Sequence, residues 1–203
     1  MPPPTAAERG REVRGRLLEA AAQLIPELGW NAVSTRILAD RAGATPGLVH
    51  YHFDSLQGLL REAAMGVIRG MVAGVEEAFA QAPDLDTGMA MLMGSLDGYS
   101  GVDPTSVLFT ETYLAATRDD RLRAELAEVA ERFRHGLTRW LAAADVDGPA
   151  ATATVLTAAI DGIMLHRSLN QELTSAAVTP VLRRLLTSTS AHRTGARREE
   201  VRP

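Results

Sequence analysis

Three consecutive ring side chains, His50, Tyr51 and His52, follow a Thr-Pro-Gly step at residues 45–47. Imidazole and phenol groups donate hydrogen bonds and transfer protons, and imidazole also binds metal ions. Residues two apart on a helix point about 200° away from each other, so His50 and His52 cannot hold one metal ion together. Hydrogen bonding to a partner is therefore the chemistry that this spacing favours.

Groups that support catalysis in other proteins are scattered along this chain. His135 and His166 are isolated in helix-forming sequence, and the carboxylates of Glu111 and Asp161 have no partner at a useful spacing. The sequence has no glycine-rich phosphate loop after a strand, no nucleophile elbow and no metal-spaced cluster. It has no cysteine, which excludes disulfides and thiol chemistry and favours a reducing cytoplasm. We predict that the protein is not an enzyme and uses no cofactor or metal ion.

Two short predicted helices position the ring side chains. Ser34 is a suitable cap for the first helix because its hydroxyl oxygen accepts from unpaired backbone N–H groups. Gly43 stands where a helix needs a left-handed residue to end. Thr45 and Pro46 are a typical N-cap and first residue for the second helix, and its predicted inward stripe consists of Leu48, Val49 and Phe53. Two helices joined by a short glycine-containing turn are typical of the helix-turn-helix unit, whose second helix enters the DNA major groove.

A specific set of motifs extends over about a quarter of the chain, from Gly15 to Leu60. Its three segments are RLLEAAAQLIPELGW, STRILADRAGATPGLVHYHF and DSLQGLL. They contain the Gly29 turn, a T-x-x-x-A-D-x-A-G stretch from Thr35 to Gly43, the Gly47 step and a final Y-H-F. This combination resembles the DNA-binding domain of the tetracycline-repressor (TetR) family.

The resemblance implies an all-α fold of about nine helices. Residues 1–53 would form a three-helix, helix-turn-helix DNA-binding domain. Residues 54–190 would form a helical bundle for ligand binding and dimerisation, and residues 191–203 a disordered tail.

The function implied by the resemblance is sequence-specific regulation of transcription. We predict a repressor that a small, apolar organic effector releases from a pseudo-palindromic, double-stranded operator. A ligand-independent regulator or an activator of the same fold is the main alternative; a helical ligand-binding or enzymatic protein without DNA binding is the other. No apolar run approaches the roughly 20 residues that span a bilayer, and the N-terminus lacks a signal-peptide core, so we predict a cytoplasmic protein without membrane contact.

The predicted DNA contacts come from three places in the first 53 residues. In the family, the start of the recognition helix touches bases and its closing Tyr and His reach phosphates. Arg36 is the best candidate for a guanine contact, because a guanidinium pairs with O6 and N7. The complete predicted set is Arg14, Arg16, Thr35, Arg36, Thr45, Pro46, Gly47, His50, Tyr51 and His52.

The charge distribution is compatible with this interpretation although the whole chain carries a net charge of −4. Residues 1–53 hold six Arg and five acids, and four of those Arg cluster between residues 9 and 16. Neutralisation of phosphates needs a local cluster, whereas the charge of the whole chain matters less. The family often has a Lys where this chain has Leu56. We therefore expect removal of Arg14 and Arg16 to weaken binding to all DNA sequences alike; the alternative is a merely solvated helix start.

The C-terminal part offers candidates for an effector site and a dimer interface. Methionines adapt to irregular apolar ligands, and the predicted lining is Met89, Met93, Tyr99, Phe109, Tyr113, Trp140, Asp161 and His166, with plain packing as the alternative. The last two helices would form a homodimer, because the stretch 150–164 is apolar around most of its circumference.

Several local features are also predicted. Residues 1–8 are expected to be mobile, and Pro26 is expected to kink or fray the first helix near Ala22. Asp54 and Gln57 resemble a capping pair for a long helix ending at Gln81. That helix carries glycines at 66, 70 and 74, which indicate either a thin packing face or a helix that bends. The last two helices are expected to end near residues 169 and 189.

Overall fold

The computed structural model describes residues 5–187, with the backbone alone at 185 and 187. Within this range the regular structure is entirely helical, which confirms the predicted fold class. The helices are α1 (Ala6–Leu28), α2 (Thr35–Ala42), α3 (Pro46–His52), α4 (Leu56–Gln81), α5 (Leu85–Ser95), α6 (Pro104–Ala116), α7 (Asp120–Ala143), α8 (Pro149–His166) and α9 (Ser175–Thr187), with 3₁₀ turns at Trp30–Ala32 and Leu96–Gly98. Over the described range, every helix is too short or too polar to cross a membrane.

Contacts divide the chain into two compact units. The first contains the chain through Gly70 together with Asp103–Leu126, and the second contains Met71–Val102 and the chain from Ala127 onward. The first unit therefore includes α1–α3, half of α4, all of α6 and the start of α7. The boundary expected after residue 53, between the DNA-binding and the ligand-binding domain, is a division by function instead of by contacts, and it stays a prediction.

The first helix begins earlier than the sequence analysis predicted. The Thr5 hydroxyl accepts from the Glu8 N–H at 3.2 Å, and the Glu8 carboxylate accepts from the Thr5 N–H at 2.6 Å. This capping box satisfies two backbone donors that the first turn leaves unpaired. The prediction that residues 1–8 are mobile is thus wrong where the structure describes them, because α1 starts at Ala6.

Pro26 does not end α1. The helix continues to Leu28, and the Gly29 N–H closes it on the Ile25 carbonyl at 2.9 Å. Pro26 leaves one carbonyl without its usual donor, but burial of Leu17, Ala21, Leu24 and Ile25 stabilises the helix around it. The early fraying expected near Ala22 is therefore wrong.

The helix-turn-helix forms at the predicted residues, except that Leu48 of the predicted inward stripe is only half-buried and the Thr45 side chain makes no cap hydrogen bond. The Ser34 hydroxyl accepts from the Ile37 N–H at 3.3 Å, and Gly43 ends α2 in the left-handed region at φ 59°. Thr45 is the N-cap of α3 and Pro46 its first residue. The buried apolar side chains of this unit are Leu38, Ala39, Ala42, Val49 and Phe53.

The cap of α4 differs from the prediction. Ser55, instead of the Asp54–Gln57 pair, caps the helix by accepting from the Gly58 N–H at 3.0 Å. Gln57 is used elsewhere, since its side-chain oxygen accepts from the buried Trp30 indole at 2.8 Å. A Cβ added at residue 66, 70 or 74 would meet no described atom within 4 Å outside the helix backbone. These glycines therefore do not form the packing face that was one of the two expectations, and bending of α4 stays a prediction.

The second unit is held by contacts between residues distant in the chain. Trp140 stacks on Phe79 with ring centroids 4.7 Å apart, and a Cβ at Gly88 would overlap the Trp140 ring. Arg167 is 7% exposed and donates to the Tyr99 carbonyl at 3.0 Å and to Asp97 at 3.1 Å.

The helix boundaries in this unit also differ from the sequence-based ones. The α8 helix ends at His166 instead of near residue 169, and α9 begins at Ser175. The turn at Arg167 separates them, because its side chain is drawn inward to the carbonyl groups of Leu96, Tyr99 and Leu173. The expected end of the last helix at residue 189 lies outside the described residues.

Candidate nucleic-acid interface

One side of α3 is packed and the other is open to solvent. Val49 is fully buried and Phe53 nearly so, which fixes the helix against the rest of its unit. The opposite side is exposed and presents Thr45, Pro46, Gly47, His50 and Tyr51. The Tyr51 side chain is 80% exposed. The helix therefore presents hydrogen-bonding groups on a face that no described part of its unit covers.

His52 differs from its two neighbours. It is half-buried, its ring meets the Tyr51 ring edge-on with centroids 5.0 Å apart, and a Cβ on Gly10 would lie 3.8 Å from its Cε1 atom. It thus packs beside α1 and supports the orientation of Tyr51.

The start of α2 brings further groups to the same unit. Thr35 is half-buried in the first turn, and Arg36 beside it is exposed. Among the described residues Arg36 forms no ion pair. Its guanidinium, with five donors in a planar fork, is available to an external acceptor.

The arginine cluster predicted on α1 separates into residues with different surroundings. Arg14 bonds to Glu62 at 2.6 Å and lies 4.8 Å above the Phe53 ring, so it joins α1 to α4 and to the end of α3. Arg16 is exposed, and a Cβ on Gly43 would lie 3.6 Å from its Nη1 atom. Arg16 therefore lies beside the turn between α2 and α3, where it faces solvent.

A second ion pair fixes α2 against α1, and the sequence analysis missed it. Both terminal nitrogens of the Arg41 guanidinium donate to the Glu27 carboxylate, at 2.9 and 2.6 Å. The bonds from Arg41 lower the pKa of Glu27. Opposite charges 14 residues apart carry no recognisable spacing, so no sequence signal pointed to this pair.

The predicted effector-lining residues fall into both units. Phe109 is half-buried and Tyr113 is 60% exposed in the first unit, with ring centroids 6.4 Å apart. In the second unit Met89 and Met93 are fully packed, and Trp140 stacks on Phe79.

The polar members of that set lie elsewhere in the second unit. Tyr99 is half-buried and its carbonyl accepts from Arg167, while His166 is exposed at the end of α8. Asp161 is on the open side of α8 and keeps solvent contact, yet surrounding protein desolvates its carboxyl group and raises its pKa to about 6.

A cleft of about 570 Å³ lies in the first unit, and none of the predicted effector residues lines it. Its walls come from the turn after α1, the start of α4, the end of α6 and the start of α7. The lining residues are Trp30, Asn31, Gln57, Arg61, Glu111, Leu114, Ala115, Arg118, Asp119, Asp120 and Arg121. No local pattern in the sequence indicates this cleft, because its residues are spread over about 90 positions.

Comparison with known protein families covers both halves of the chain. The family described as "Bacterial regulatory proteins, tetR family" matches residues 17–63, and "Tetracyclin repressor-like, C-terminal domain" matches residues 83–188. The transcriptional regulator BetI of Vibrio campbellii is 25% identical over 162 residues, which cover 77% of this chain and 81% of that protein.

Solved structures agree with the family comparison. The putative transcriptional regulator SCO7518 of Streptomyces coelicolor A3(2) is 32% identical, covers 87% of this chain and 99% of its own, and has a TM-score of 0.74. The multidrug binding protein EbrR, solved with malachite green, is 29% identical, covers 85% of this chain and 97% of its own, and has a TM-score of 0.66. These relatives are regulators or ligand-binding proteins of one helical architecture. This chain belongs to the tetracycline-repressor (TetR) family of DNA-binding transcriptional regulators.

Proposed function

We propose that this regulator is a homodimeric, cytoplasmic repressor that inserts α3 into the major groove of a pseudo-palindromic operator and leaves it when a small organic effector binds. The observation that carries the proposal is the exposed face of α3, where His50 and Tyr51 extend into solvent while Val49 is fully buried. The major groove is wide enough to admit an α-helix, and the polar side of a helix that is buried on its other side can form hydrogen bonds with base edges there.

Contacts to bases and to phosphates would come from different residues. Thr45, Pro46 and Gly47 begin α3, where recognition helices approach base edges. Arg36 carries a free guanidinium suited to a guanine. Phosphates would be held by Tyr51 and Arg16, which are both exposed.

The two copies would pair through α8 and α9. These helices expose large aliphatic side chains, namely Val155 (58%), Leu165 (54%) and Val181 (47%), with Leu169 (82%) in the turn between them. An exposed aliphatic face of this kind favours burial against a partner, and two-fold pairing presents the same face twice. The two recognition helices would then read half-sites about 34–36 Å apart or a multiple of that.

Release by an effector is supported by relatives and by the composition of the second unit. EbrR was solved with malachite green and also with imidazole. In this chain Met89 and Met93 are fully buried and Trp140 stacks on Phe79, so a small apolar molecule would contact these soft and aromatic side chains by displacing part of their present packing. Effector and DNA would weaken each other's binding by the same factor, typically about 1–3 kcal/mol.

The test begins with selection of bound sequences from random double-stranded DNA. The expected result is an inverted repeat, bound by two chains per site in light scattering or native mass spectrometry. Malachite green should then raise the melting temperature of the protein and lower its affinity for the selected DNA. A monomeric protein that binds no double-stranded oligonucleotide at low salt would refute the proposal. A dimer that binds DNA with the same affinity in the presence of the dye would refute release by this probe.

A further inference from the structure

We propose that the cleft in the first unit is a binding site for small organic carboxylates, separate from the residues predicted for the apolar effector. It lies between the turn that follows α1 and the junction of α6 with α7, so an occupant would touch both. Its lining combines cationic, aromatic and aliphatic groups, unlike the methionine-rich set in the second unit.

The carboxylates of the cleft already have partners. Glu111 accepts from the backbone N–H of Trp30 at 2.8 Å. Asp119 accepts from the backbone N–H groups of Arg121 and Leu122 at 2.9 and 3.1 Å, and Asp120 accepts from Arg123. The Leu122 N–H, with smaller contributions from Arg121 and Arg61, lowers the pKa of Asp119 and keeps it ionised. These three acids are therefore fixed acceptors of the protein's own donors.

The guanidinium groups of the cleft differ from one another in their partners. Arg61 is held by Asp119 at 3.4 Å and by Glu125 at 3.3 Å. Arg118 and Arg121 line the cleft too, but across residues 5–187 neither forms an ion pair. Two unpaired cations remain beside acids that are already engaged, and a carboxylate is the group that a guanidinium binds with two parallel hydrogen bonds.

The rest of the wall suits the apolar body of such a ligand. Leu114 is 50% exposed and lines the cleft with Ala115 and Trp30. Burial of this surface would add affinity to the ion pairing. The predicted occupant is thus a small aromatic or aliphatic acid. Inorganic anions would pair with the guanidinium groups but would gain nothing from the apolar wall.

Trp30 connects the cleft to two helices, and its indole is a spectroscopic probe of binding. Its backbone N–H bonds to Glu111 of α6, and its indole N–H bonds to Gln57 of α4 at 2.8 Å. An occupant beside Trp30 would alter the surroundings of that indole whether or not DNA is present. The inference therefore does not depend on operator release by an effector.

The experiment is a titration of the full chain, without DNA, followed through the two indole N–H resonances in ¹⁵N-labelled protein. A W140F variant assigns the signals, since Trp30 and Trp140 are the two tryptophans. Benzoate and 1-naphthoate, each raised to about 10 mM, should shift the Trp30 resonance and leave Trp140 unchanged. The amides benzamide and 1-naphthamide, and inorganic phosphate, should shift neither.

Variants identify the guanidinium groups responsible. R118S/R121S should reduce the affinity for 1-naphthoate at least about tenfold. R132S/R139S removes the same charge from α7 outside the cleft and should bind as the parent does. Absence of any Trp30 shift with both acids would overturn the proposal, and so would an unchanged affinity in R118S/R121S or equal shifts with the amides. Unchanged spectra elsewhere establish that each variant is folded.

Discussion

Two helices of this protein leave one face in solvent, and the chemistry of the two faces is opposite. The α3 face consists of hydrogen-bonding rings and a Thr-Pro-Gly start, with Tyr51 80% exposed. The α8 face is aliphatic, with Val155 and Leu165 more than half exposed and Asp161 as its acidic group. The first face suits DNA, which is a hydrated polyanion. The second suits a dry contact with the same aliphatic face of a second copy. Exposure alone therefore does not identify a partner, whereas the chemistry of the exposed groups does.

The largest effect is expected on the aliphatic face. V155R/L165R should convert the proposed dimer into a monomer, because unpaired charge in an apolar interface costs about 3–5 kcal/mol. Affinity for a palindromic operator should fall about 100-fold or more, since one half-site then binds alone. Light scattering and gel shift measure the two results. A142R/A143R adds the same charge at exposed positions of α7 and should change neither; a V155R/L165R protein that remains dimeric would contradict the assignment of α8.

A smaller and more selective effect is expected at the start of α2. R36A should lose about 1–3 kcal/mol on the best operator and should relax the preference for one guanine, because the bidentate contact specifies that base. Repeating the selection with the variant measures the preference directly. R139A, an exposed arginine of the second unit, is the control. Equal loss on all sequences would assign Arg36 to phosphate instead.

The helix-turn-helix was predictable because its signals are local. Ser34, Gly43 and Pro46 each act on backbone groups within four residues, so the type of residue is enough to place the helix ends. The capping box at Thr5 and Glu8 is equally local and was present in the sequence. It was missed because the Pro-rich start suggested a mobile segment, although the T-x-x-E spacing predicts a helix start.

The remaining contacts depend on residues that meet only after the chain has folded. Trp30 and Glu111 are 81 positions apart, and Arg167 reaches Tyr99 across 68. Their residue types indicate possible donors and acceptors without indicating the partner. For the same reason the sequence analysis grouped Arg14 with Arg16, whereas the structure places Arg14 between Glu62 and Phe53.

That difference between neighbouring arginines gives a third prediction. R16A should weaken binding to all DNA sequences alike and reduce the salt slope by about 1, because one phosphate contact is lost. R14A should instead lower the free energy of unfolding by about 1 kcal/mol, the sum of a half-exposed ion pair and a cation–π contact. E62A removes the ion pair and leaves the contact with Phe53, so it should lower the free energy of unfolding by less than R14A does in chemical denaturation. A salt slope reduced equally in R14A and R16A would show that Arg14 leaves Glu62 to bind phosphate.

The smallest effect concerns Asp161, the acidic group of the aliphatic face. Desolvation raises its pKa to about 6, above the value of about 3.9 for an unfolded chain. The folded state therefore binds the proton more tightly, so this group destabilises the protein progressively as the pH rises from about 4 to about 6, and by a constant amount above that. D161N should raise the free energy of unfolding at pH 7 by less than about 1 kcal/mol, because the side chain keeps solvent contact, and the gain should vanish below about pH 4. Denaturation of both proteins across this range measures the difference. If α8 pairs with a second copy, the gain should be larger at protein concentrations where the dimer forms than after dilution to the monomer, because pairing removes the water that solvates the carboxylate; an equal gain in both would place Asp161 outside the interface.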